Sequence, residues 1–126
     1  MNPLTVEWIN KAEADLLTAR REYRARKKPN FDAVCFHAQQ AVEKYLKTVL
    51  QESGAMIPRV HSLIELLALI STNDASFLLV QGDANVLEGY AVQFRYPGMS
   101  ADKSEVKQTI AAAERMCLFI RIKSRK

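Results

Sequence analysis

The sequence predicts an all-α protein, an up-and-down helical bundle of four to five helices in a single domain of residues 1–126. Apolar residues recur at steps of three and four along most of the chain, which is the spacing of one face of an α-helix. No stretch sustains the alternation of polar and apolar residues that a strand requires. At 126 residues the chain can build one hydrophobic core without disulfides or metal.

The first helix is expected over residues 4–27, because Asn2-Pro3 is a start signal and proline suits the first helical turn. Its apolar stripe contains Leu4, Trp8, Ala12, Leu16, Ala19 and Tyr23. Asp15 lies at the edge of this stripe, where it either borders solvent or pairs with a cation or a histidine of a neighbouring helix. Lys28-Pro29-Asn30 ends the helix, and so short a connection predicts an antiparallel hairpin with the next helix.

The second helix, residues 31–52, has two different faces. Its apolar face contains Phe31, Val34, Cys35, Ala38, Val42, Tyr45, Leu46 and Val49. On the opposite side His37, Gln40 and Lys44 fall within an arc of about 60°. An imidazole, an amide and an ammonium group can together hold a base edge and a phosphate oxygen of a nucleotide. They can equally satisfy one another, or backbone carbonyls, at an interhelical contact or a dimer interface.

Two helices are expected in the middle of the chain. The third covers residues 62–71, with Ser62 as its N-cap and Glu65 completing a capping-box pattern. The fourth covers roughly residues 75–92, with an interruption near Gly82.

The fifth helix is expected over residues 101–123, after an aromatic–arginine–aromatic triplet at 94–96 and a Pro-Gly turn. Arg95 and Tyr96 can clamp a phosphate and stack on a base, or they can pair with a carboxylate and pack on the bundle. His61, at the start of the third helix, either contacts a phosphate, acts as an acid–base group or orders the loop. Packing is favoured over base stacking for Trp8, Phe36 and Phe94.

Positive charge is concentrated in two runs of a chain whose net charge is +4. The candidates for nucleic-acid binding in these runs are Arg20, Arg21, Arg24, Arg26, Lys27, Lys28, Arg121 and Lys123. If the five helices alternate in direction, the first and fifth point the same way and the two runs merge into one cationic cap that attracts phosphate chains. The alternative is two solvated helix ends, where cations complement the helix dipole.

Other kinds of site find no support in the sequence. Cys35 and Cys117 form no CxxC pair and no metal set with the two histidines, so buried free thiols are expected, with no metal and no cofactor. There is no glycine-rich phosphate loop, HExxH or GxSxG motif. Without a window of eighteen apolar residues or a signal peptide, we expect a cytoplasmic protein that does not associate with membranes.

Several blocks of the chain together resemble one family. The first block is Cys35-Phe36-His37-Ala38-Gln39-Gln40-Ala41-Val42-Glu43-Lys44, followed by Leu46-Lys47. The others are Trp8, Ala12, Asp15-Leu16 and Ala19, then His61, Leu63, Leu66 and Leu67, and finally Arg95-Tyr96-Pro97. In order and spacing these blocks resemble HEPN domains (higher eukaryotes and prokaryotes nucleotide-binding), and the resemblance covers nearly the whole chain.

The resemblance implies a bundle of four or five helices, usually a homodimer, and for many prokaryotic members a minimal nucleotidyltransferase partner in a toxin–antitoxin pair. Some members bind nucleotides, and others are metal-independent ribonucleases that carry arginine, four to six residues, then histidine. For His37 that arginine would stand at 30–32, and for His61 at 54–56, and none of these positions holds arginine. Arg59 is only two positions before His61, so the ribonuclease motif is absent.

The sequence therefore predicts a non-catalytic HEPN module that binds a nucleotide or nucleic acid, or that works with a nucleotidyltransferase partner. A homodimer is expected because the second face of helix 2 is not polar enough to remain in water. One alternative is a variant ribonuclease that uses His37 or His61 with Arg95 brought near in space. Another is a protein-interaction scaffold that binds neither nucleotide nor RNA.

Overall fold

The computed structural model of the protein describes residues 2–93 and 97–124, with backbone alone for residues 91–93. Its helices are α1 (Pro3–Tyr23), α2 (Phe31–Glu52), α3 (Leu63–Ser71), α4 (Gln81–Gln93) and α5 (Lys103–Ser124), and a 3₁₀ helix, Ala75–Val80, leads into α4. These described ranges contain no strand, so the all-α bundle predicted from the sequence is confirmed. None of the helices within them is long and apolar enough to cross a membrane.

α1 ends at Tyr23, four residues before the predicted end at residue 27. The backbone N–H of Arg24 still bonds to the Arg20 carbonyl, but Lys28 has a positive φ of 43°, which no helix can include. Pro29 contributes, because proline disfavours the helical conformation of the residue before it. Four of the six cations of the first basic run therefore lie in the α1–α2 connection: Arg24, Arg26, Lys27 and Lys28.

α2 has the predicted bounds because both of its ends carry local stop signals. At the start, Asn30 Oδ1 accepts a hydrogen bond from the Ala33 N–H at 3.0 Å. At the end, Gly54 adopts a φ of 79°, and the next N–H, that of Ala55, bonds back to the Leu50 carbonyl at 3.1 Å. This is the Schellman pattern, in which glycine satisfies the last carbonyls of a helix.

α2 is the central element, in contact with α1, α3, α4 and α5. Its apolar face is fully buried at Val34, Ala38, Val42 and Leu46. Beside this face, Gln39, Glu43 and Lys47 are also covered, each less than 10% exposed. The face that the sequence assigned to a second copy, with His37, Gln40 and Lys44, is only partly buried.

The predicted cationic cap is wrong, because α1 and α5 are antiparallel. Arg20 Nε bonds to Glu114 Oε1 at 2.7 Å, and Arg121 Nη1 bonds to Glu13 Oε1 at 2.7 Å. Position 13 on α1 is thus level with position 121 on α5, while Arg24 lies about 16 Å away along the helix axis. The two basic runs lie towards opposite ends of the bundle.

The connection between α2 and α3 explains why the helix directions do not alternate. His61, the second-last residue before α3, accepts a hydrogen bond at its carbonyl from Gln39 Nε2 at 3.2 Å. Residues 53–62 therefore return along α2 to its middle before the next helix begins. At the start of α5, the Ala101 N–H bonds to Asp32 Oδ1 at 2.9 Å, which places α5 parallel to α2.

The remaining helix starts follow local rules. Ser62 Oγ accepts from the Glu65 N–H at 3.3 Å, as predicted. Asp102 and Glu105 form a complete capping box before α5, with reciprocal side-chain-to-backbone bonds of 2.8 and 3.1 Å. The predicted interruption of the fourth helix exists as the change from 3₁₀ to α geometry at Gln81, one residue before Gly82.

Cys35 and Cys117 are free and buried, as predicted. Burial raises the pKa of the Cys117 thiol to about 12, above its ordinary value of 9.0, and it also raises the pKa of Cys35. Both groups are therefore protonated at neutral pH and act as small apolar side chains.

We expect the free energy of unfolding to fall between pH 9 and pH 11 by about 1.4 kcal/mol per pH unit from Cys117 alone. A thiol whose pKa is raised in the folded state stabilises the fold fully below its unfolded pKa. That contribution is lost as the pH rises towards the folded pKa. Urea denaturation at several pH values would measure the slope, and Cys117→Ala should make it shallower by that amount. An unchanged slope in Cys117→Ala would contradict the assignment.

Candidate functional site

Asp15 on α1 bridges two of the polar residues predicted as a nucleotide site on α2. Its Oδ1 lies 2.9 Å from His37 Nδ1, and its Oδ2 accepts a hydrogen bond from Lys44 Nζ. We call these three residues the Asp15 cluster. The pairing of Asp15 with a histidine and a cation is one of the alternatives that its position at the edge of the apolar stripe suggested, and it is confirmed.

The Asp15 cluster is partly buried, with side-chain exposures of 13% for Asp15, 23% for Lys44 and 30% for His37. Because Asp15 occupies Nδ1 of His37, a ligand would have to approach the other ring nitrogen, Nε2. The Asp15 carboxylate also offsets the charge of Lys44, so the cluster has less attraction for phosphate than its cations alone would have.

Two further residues of α2, Gln40 and Phe36, lie beside the Asp15 cluster. Gln40 is half-buried, and its Nε2 donates to Gln39 Oε1 at 3.2 Å. Phe36 is 57% exposed, with its ring edge-on to His37 at a centroid distance of 5.2 Å. The prediction that Phe36 packs into the bundle is therefore wrong, and an exposed ring of this kind can stack on a nucleic-acid base.

A second polar cluster, Glu43, Lys47 and His61, lies further round α2. Glu43 Oε2 accepts from Lys47 Nζ at 3.1 Å and lies 3.1 Å from His61 Nδ1. The Glu43 and Lys47 side chains are 5% and 8% exposed, whereas that of His61 is 76% exposed. The Lys47 ammonium also lies 5.7 Å from the centroid of the Trp8 ring. We call this group the Glu43 cluster, and in it His61 both orders the loop and faces solvent.

A third network joins α1, α2 and α5 through Glu13. Its carboxylate accepts hydrogen bonds from the Tyr45 hydroxyl and from Arg121, whose guanidinium lies 5.9 Å from the Tyr45 ring centroid. Burial opposes the charged form of Glu13, but the bonds from Tyr45 and Arg121 outweigh it and hold the pKa of Glu13 below 4.5. Burial, and then the bond to Glu13, raise the pKa of Tyr45 above 10.0. This network is structural.

The cations around the α1–α2 connection form a concentration of positive charge on the described surface. Five of the predicted nucleic-acid contacts are exposed there: Arg21, Arg24, Arg26, Lys27 and Lys28. We call these five residues the hairpin cations. The first turns of α2 and α5 lie at the same end of the bundle, as the bond between Ala101 and Asp32 shows. The C-terminus of α1 lies at this end too, so helix dipoles of opposite sense meet there and the positive charge comes from the side chains.

The other predicted nucleic-acid contacts have anionic partners. Arg20 pairs with Glu114, Arg121 with Glu13, and Lys123 Nζ lies 3.2 Å from Asp74 Oδ2. These three cations are therefore less available to phosphate than the hairpin cations. The predicted phosphate and base contacts Arg95 and Tyr96 lie outside the described residues.

A groove of about 670 Å³ lies towards the opposite end, between the start of α1 and the ends of α2 and α5. Its lining includes Glu52, Asp74 and Lys123, and Lys123 is paired with Asp74. This balance of charge does not favour a phosphate group. Within residues 2–93 and 97–124, no group of three or more His, Cys, Asp or Glu side chains could hold a metal ion.

The sequence analysis did not identify three residues that form ion pairs between or along the helices: Glu13, Glu43 and Lys47. Glu43 and Lys47 stand four residues apart on one helix, which is also the spacing of an ordinary solvated pair. Glu13 lies one residue after the buried Ala12. That position beside the apolar stripe of α1 was the available signal for Glu13, as it was for Asp15.

The chain was compared with known families, proteins and structures. A family model for the HEPN domain matches residues 5–123. The crystal structure of TT1696 from Thermus thermophilus is 24% identical with a TM-score of 0.76, over 94% of this chain and 97% of that one. The crystal structure of ST0689, described as an archaeal HEPN homologue, is 23% identical with a TM-score of 0.72, over 94% and 96%. A comparison with curated proteins gave no match.

Proposed function

The chain belongs to the HEPN family, a family of nucleotide-binding and ribonuclease-type modules, and from that premise we propose that it is a non-catalytic member that binds RNA. The observation that carries the proposal is the group of five exposed hairpin cations at the end of the bundle where α2 and α5 begin. Closely spaced cations attract a phosphate chain, and release of its counterions drives binding. The exposed ring of Phe36, near the start of α2, supplies a surface for base stacking.

The non-catalytic part of the proposal rests on the two histidines. Neither is preceded at the required spacing by arginine. Both rings have a carboxylate at Nδ1, from Asp15 and from Glu43, which fixes their orientation within the bundle. These contacts give each imidazole a structural role, since each ring ties a carboxylate of one helix to another part of the bundle.

The proposal includes two protein partners. We infer a homodimer, and a minimal nucleotidyltransferase that pairs with this chain in a toxin–antitoxin-type system. Family membership supports both partners. Co-expression with the product of the neighbouring open reading frame, followed by purification through a tag on one chain, tests the second partner. Recovery of this chain alone would contradict it.

Replacing Arg24, Arg26 and Lys27 together by glutamine should weaken binding to a short single-stranded RNA at least about tenfold at low salt. Three lost phosphate contacts should also make the slope of log K against log salt shallower by about 2. Fluorescence anisotropy at several salt concentrations measures both quantities. The three side chains are exposed, so the free energy of unfolding should change little.

The matched control replaces Lys11, Arg59 and Lys107 by glutamine, three exposed cations outside the predicted contacts, which removes the same charge elsewhere on the surface. Equal losses in the two triple variants would mean that only net charge matters, and they would contradict a localised site. Titration with ATP and GTP in parallel tests a nucleotide ligand. No binding of any of these ligands would contradict the proposed function and would favour the scaffold alternative.

The ribonuclease alternative has one observation in its favour, the solvent-facing His61 ring held by a buried carboxylate. Incubation of the purified protein with RNA in the presence of a chelator tests it directly. Cleavage that disappears in His37→Ala, His61→Ala or Arg95→Ala would contradict a non-catalytic role. Without cleavage, or with cleavage unaffected by all three substitutions, the ribonuclease alternative fails.

A further inference from the structure

α1 and α5 display the same three-residue pattern side by side on the surface. Each helix carries a carboxylate, a leucine four residues later and an arginine three residues after that. The two stripes are Glu13, Leu17 and Arg20 on α1, and Glu114, Leu118 and Arg121 on α5. Residues at this spacing share one face of a helix. Because the helices are antiparallel, the arginine of each stripe pairs with the glutamate of the other, both at 2.7 Å.

The two leucines lie at the same level, halfway between the two ion pairs, and they are not covered by the bundle. Leu17 is 43% exposed and Leu118 is 51% exposed. Ile122, one turn further along α5, is 59% exposed, and Val6 on α1 is 42% exposed. We call this surface the α1–α5 face. An apolar centre with a charged rim is the usual anatomy of a protein–protein interface.

From this arrangement we infer that the α1–α5 face is the surface through which two copies of the chain associate. The inference rests on the homodimer of the proposed function and names the surface through which its two copies would make contact. It places the interface on α1 and α5 instead of on the second face of α2, where His37 and Lys44 already pair with Asp15 within the chain.

Charge complementarity selects a second copy as the occupant. On the α1–α5 face the four charges alternate in sign around the leucines, with positive Arg20 diagonally opposite positive Arg121. When two such faces meet about a two-fold axis that runs along the helices, every arginine faces a glutamate of the other copy. An axis across the helices gives the same result. A two-fold contact requires a self-complementary surface, and this face has that property.

Other occupants fit the α1–α5 face less well. Its two positive and two negative charges cancel, so it offers no net attraction to RNA. Its apolar centre is confined to a few side chains between the two ion pairs, which gives a lipid surface little to hold.

The size of the face sets the expected strength of the contact. Given the pairing of positions 13 and 121, residues 10–23 of α1 overlap residues 111–124 of α5. That overlap is about 20 Å long. Two neighbouring helices are together about 20 Å wide, so the face offers about 400 Å², half of the area of about 800 Å² that each partner buries in a standard interface. The dimer should therefore be reversible and should depend on protein concentration.

Light scattering and sedimentation of the full chain at about 5 to about 200 µM test the inference. The wild type should pass from the monomer mass towards the dimer mass over this range. Leu118→Arg should remain monomeric, since it places like charges in the centre of the interface. Leu69→Arg is the matched control, because Leu69 is 47% exposed on α3, and it should associate like the wild type. Circular dichroism checks that both variants fold.

Oxidative crosslinking gives a second test that leaves the fold unchanged. Leu118→Cys should form a disulfide dimer either with itself or with Leu17→Cys, and the choice identifies the direction of the two-fold axis. Leu69→Cys should form none, and Cys35 and Cys117 are too buried to interfere. A wild type that stays monomeric, equal behaviour of the two arginine variants, or no crosslink through either position would overturn the inference.

An RNA titration of the same proteins separates the two proposals. A monomeric wild type that still binds RNA overturns the α1–α5 interface and leaves the proposed binding function intact. A dimer that dissociates with Leu118→Arg but binds no RNA or nucleotide supports the interface and removes the binding function.

Discussion

Replacing Glu43 by alanine should lower the free energy of unfolding by about 3 kcal/mol. The substitution leaves the Lys47 ammonium, whose side chain is 8% exposed, without its carboxylate partner. It also removes the partner of His61 Nδ1 and so loosens the segment that leads into α3. The nearby Trp8 ring offsets only part of the loss, since a cation–π contact contributes about 0.5 to 2 kcal/mol. Urea denaturation of wild type and variant measures the difference.

The chain supplies a control of the same chemistry. Glu7 and Lys11 on α1 have the same order and the same spacing of four residues, but their side chains are about 60% exposed. Glu7→Ala should therefore cost about 0.5 kcal/mol or less. The comparison isolates burial as the variable, because sequence separation and residue types are equal in the two pairs.

A double variant distinguishes a favourable ion pair from a charge that is merely compensated. Glu43→Leu combined with Lys47→Met removes both charges and keeps apolar volume, so its stability should return to within about 1 kcal/mol of the wild type. Within the part of the chain that the structure describes, Glu43 Oε1 has no hydrogen-bond partner, which reduces the net value of this pair. A double variant as unstable as Glu43→Ala would contradict the account and would point to packing around the stem of Lys47.

Local features of the chain could be predicted from the sequence, whereas burial that depends on distant residues could not. The bounds of α2 were predictable because Asn30 and Gly54 act on the backbone within a few residues of themselves. The burial of Glu43 was not predictable in this way. It depends on Trp8 and His61, which reach α2 from different parts of the chain.

The direction of α5 relative to α1 is also determined by contacts between residues that are far apart in the sequence. Helix propensity and capping place α5 correctly along the sequence, but they carry no information about which way it runs relative to α1. That direction depends on the path of residues 53–62, which a bond between Gln39 and the His61 carbonyl fixes beside the middle of α2. The prediction of a cationic cap was wrong because it assumed that α1 and α5 run in the same direction. The position of the hairpin cations does not depend on the direction of α5, because they lie in and beside the α1–α2 connection.

The sequence predicts which polar residues share a face of α2, but it does not predict the net charge of that face. The polar stripe of α2 was correctly assigned to His37, Gln40 and Lys44, and Asp15 was recognised as a possible partner from its position on α1. The sequence could not decide whether Asp15 faces solvent or α2. In the structure the Asp15 carboxylate contacts both His37 and Lys44, so this face of α2 is less positive than its own residues suggest.

Replacing Asp15 by alanine should lower the free energy of unfolding by about 2 to 3 kcal/mol. One carboxylate serves two partners, so its loss leaves both the Lys44 ammonium and His37 Nδ1 unpaired in a partly buried setting. Asp15→Asn should cost less, because the amide oxygen can still accept one hydrogen bond. Denaturation of both variants at pH 7 measures the effect. The matched control is Asp83→Ala, which removes a carboxylate whose partner, Arg115, is 61% exposed and can be hydrated. That control should cost about 1 kcal/mol or less.

The same substitution tests whether the Asp15 cluster binds a nucleotide or only stabilises the bundle. In Asp15→Asn, the charge of Lys44 is no longer offset, so a phosphate group near His37 and Lys44 should bind more tightly. ATP affinity should then rise in Asp15→Asn and fall again when Lys44→Gln is added. If ATP affinity is the same in all three proteins, the cluster is a structural contact between α1 and α2. RNA binding would then depend on the hairpin cations alone, and the loss in their triple variant should be unchanged by Asp15→Asn.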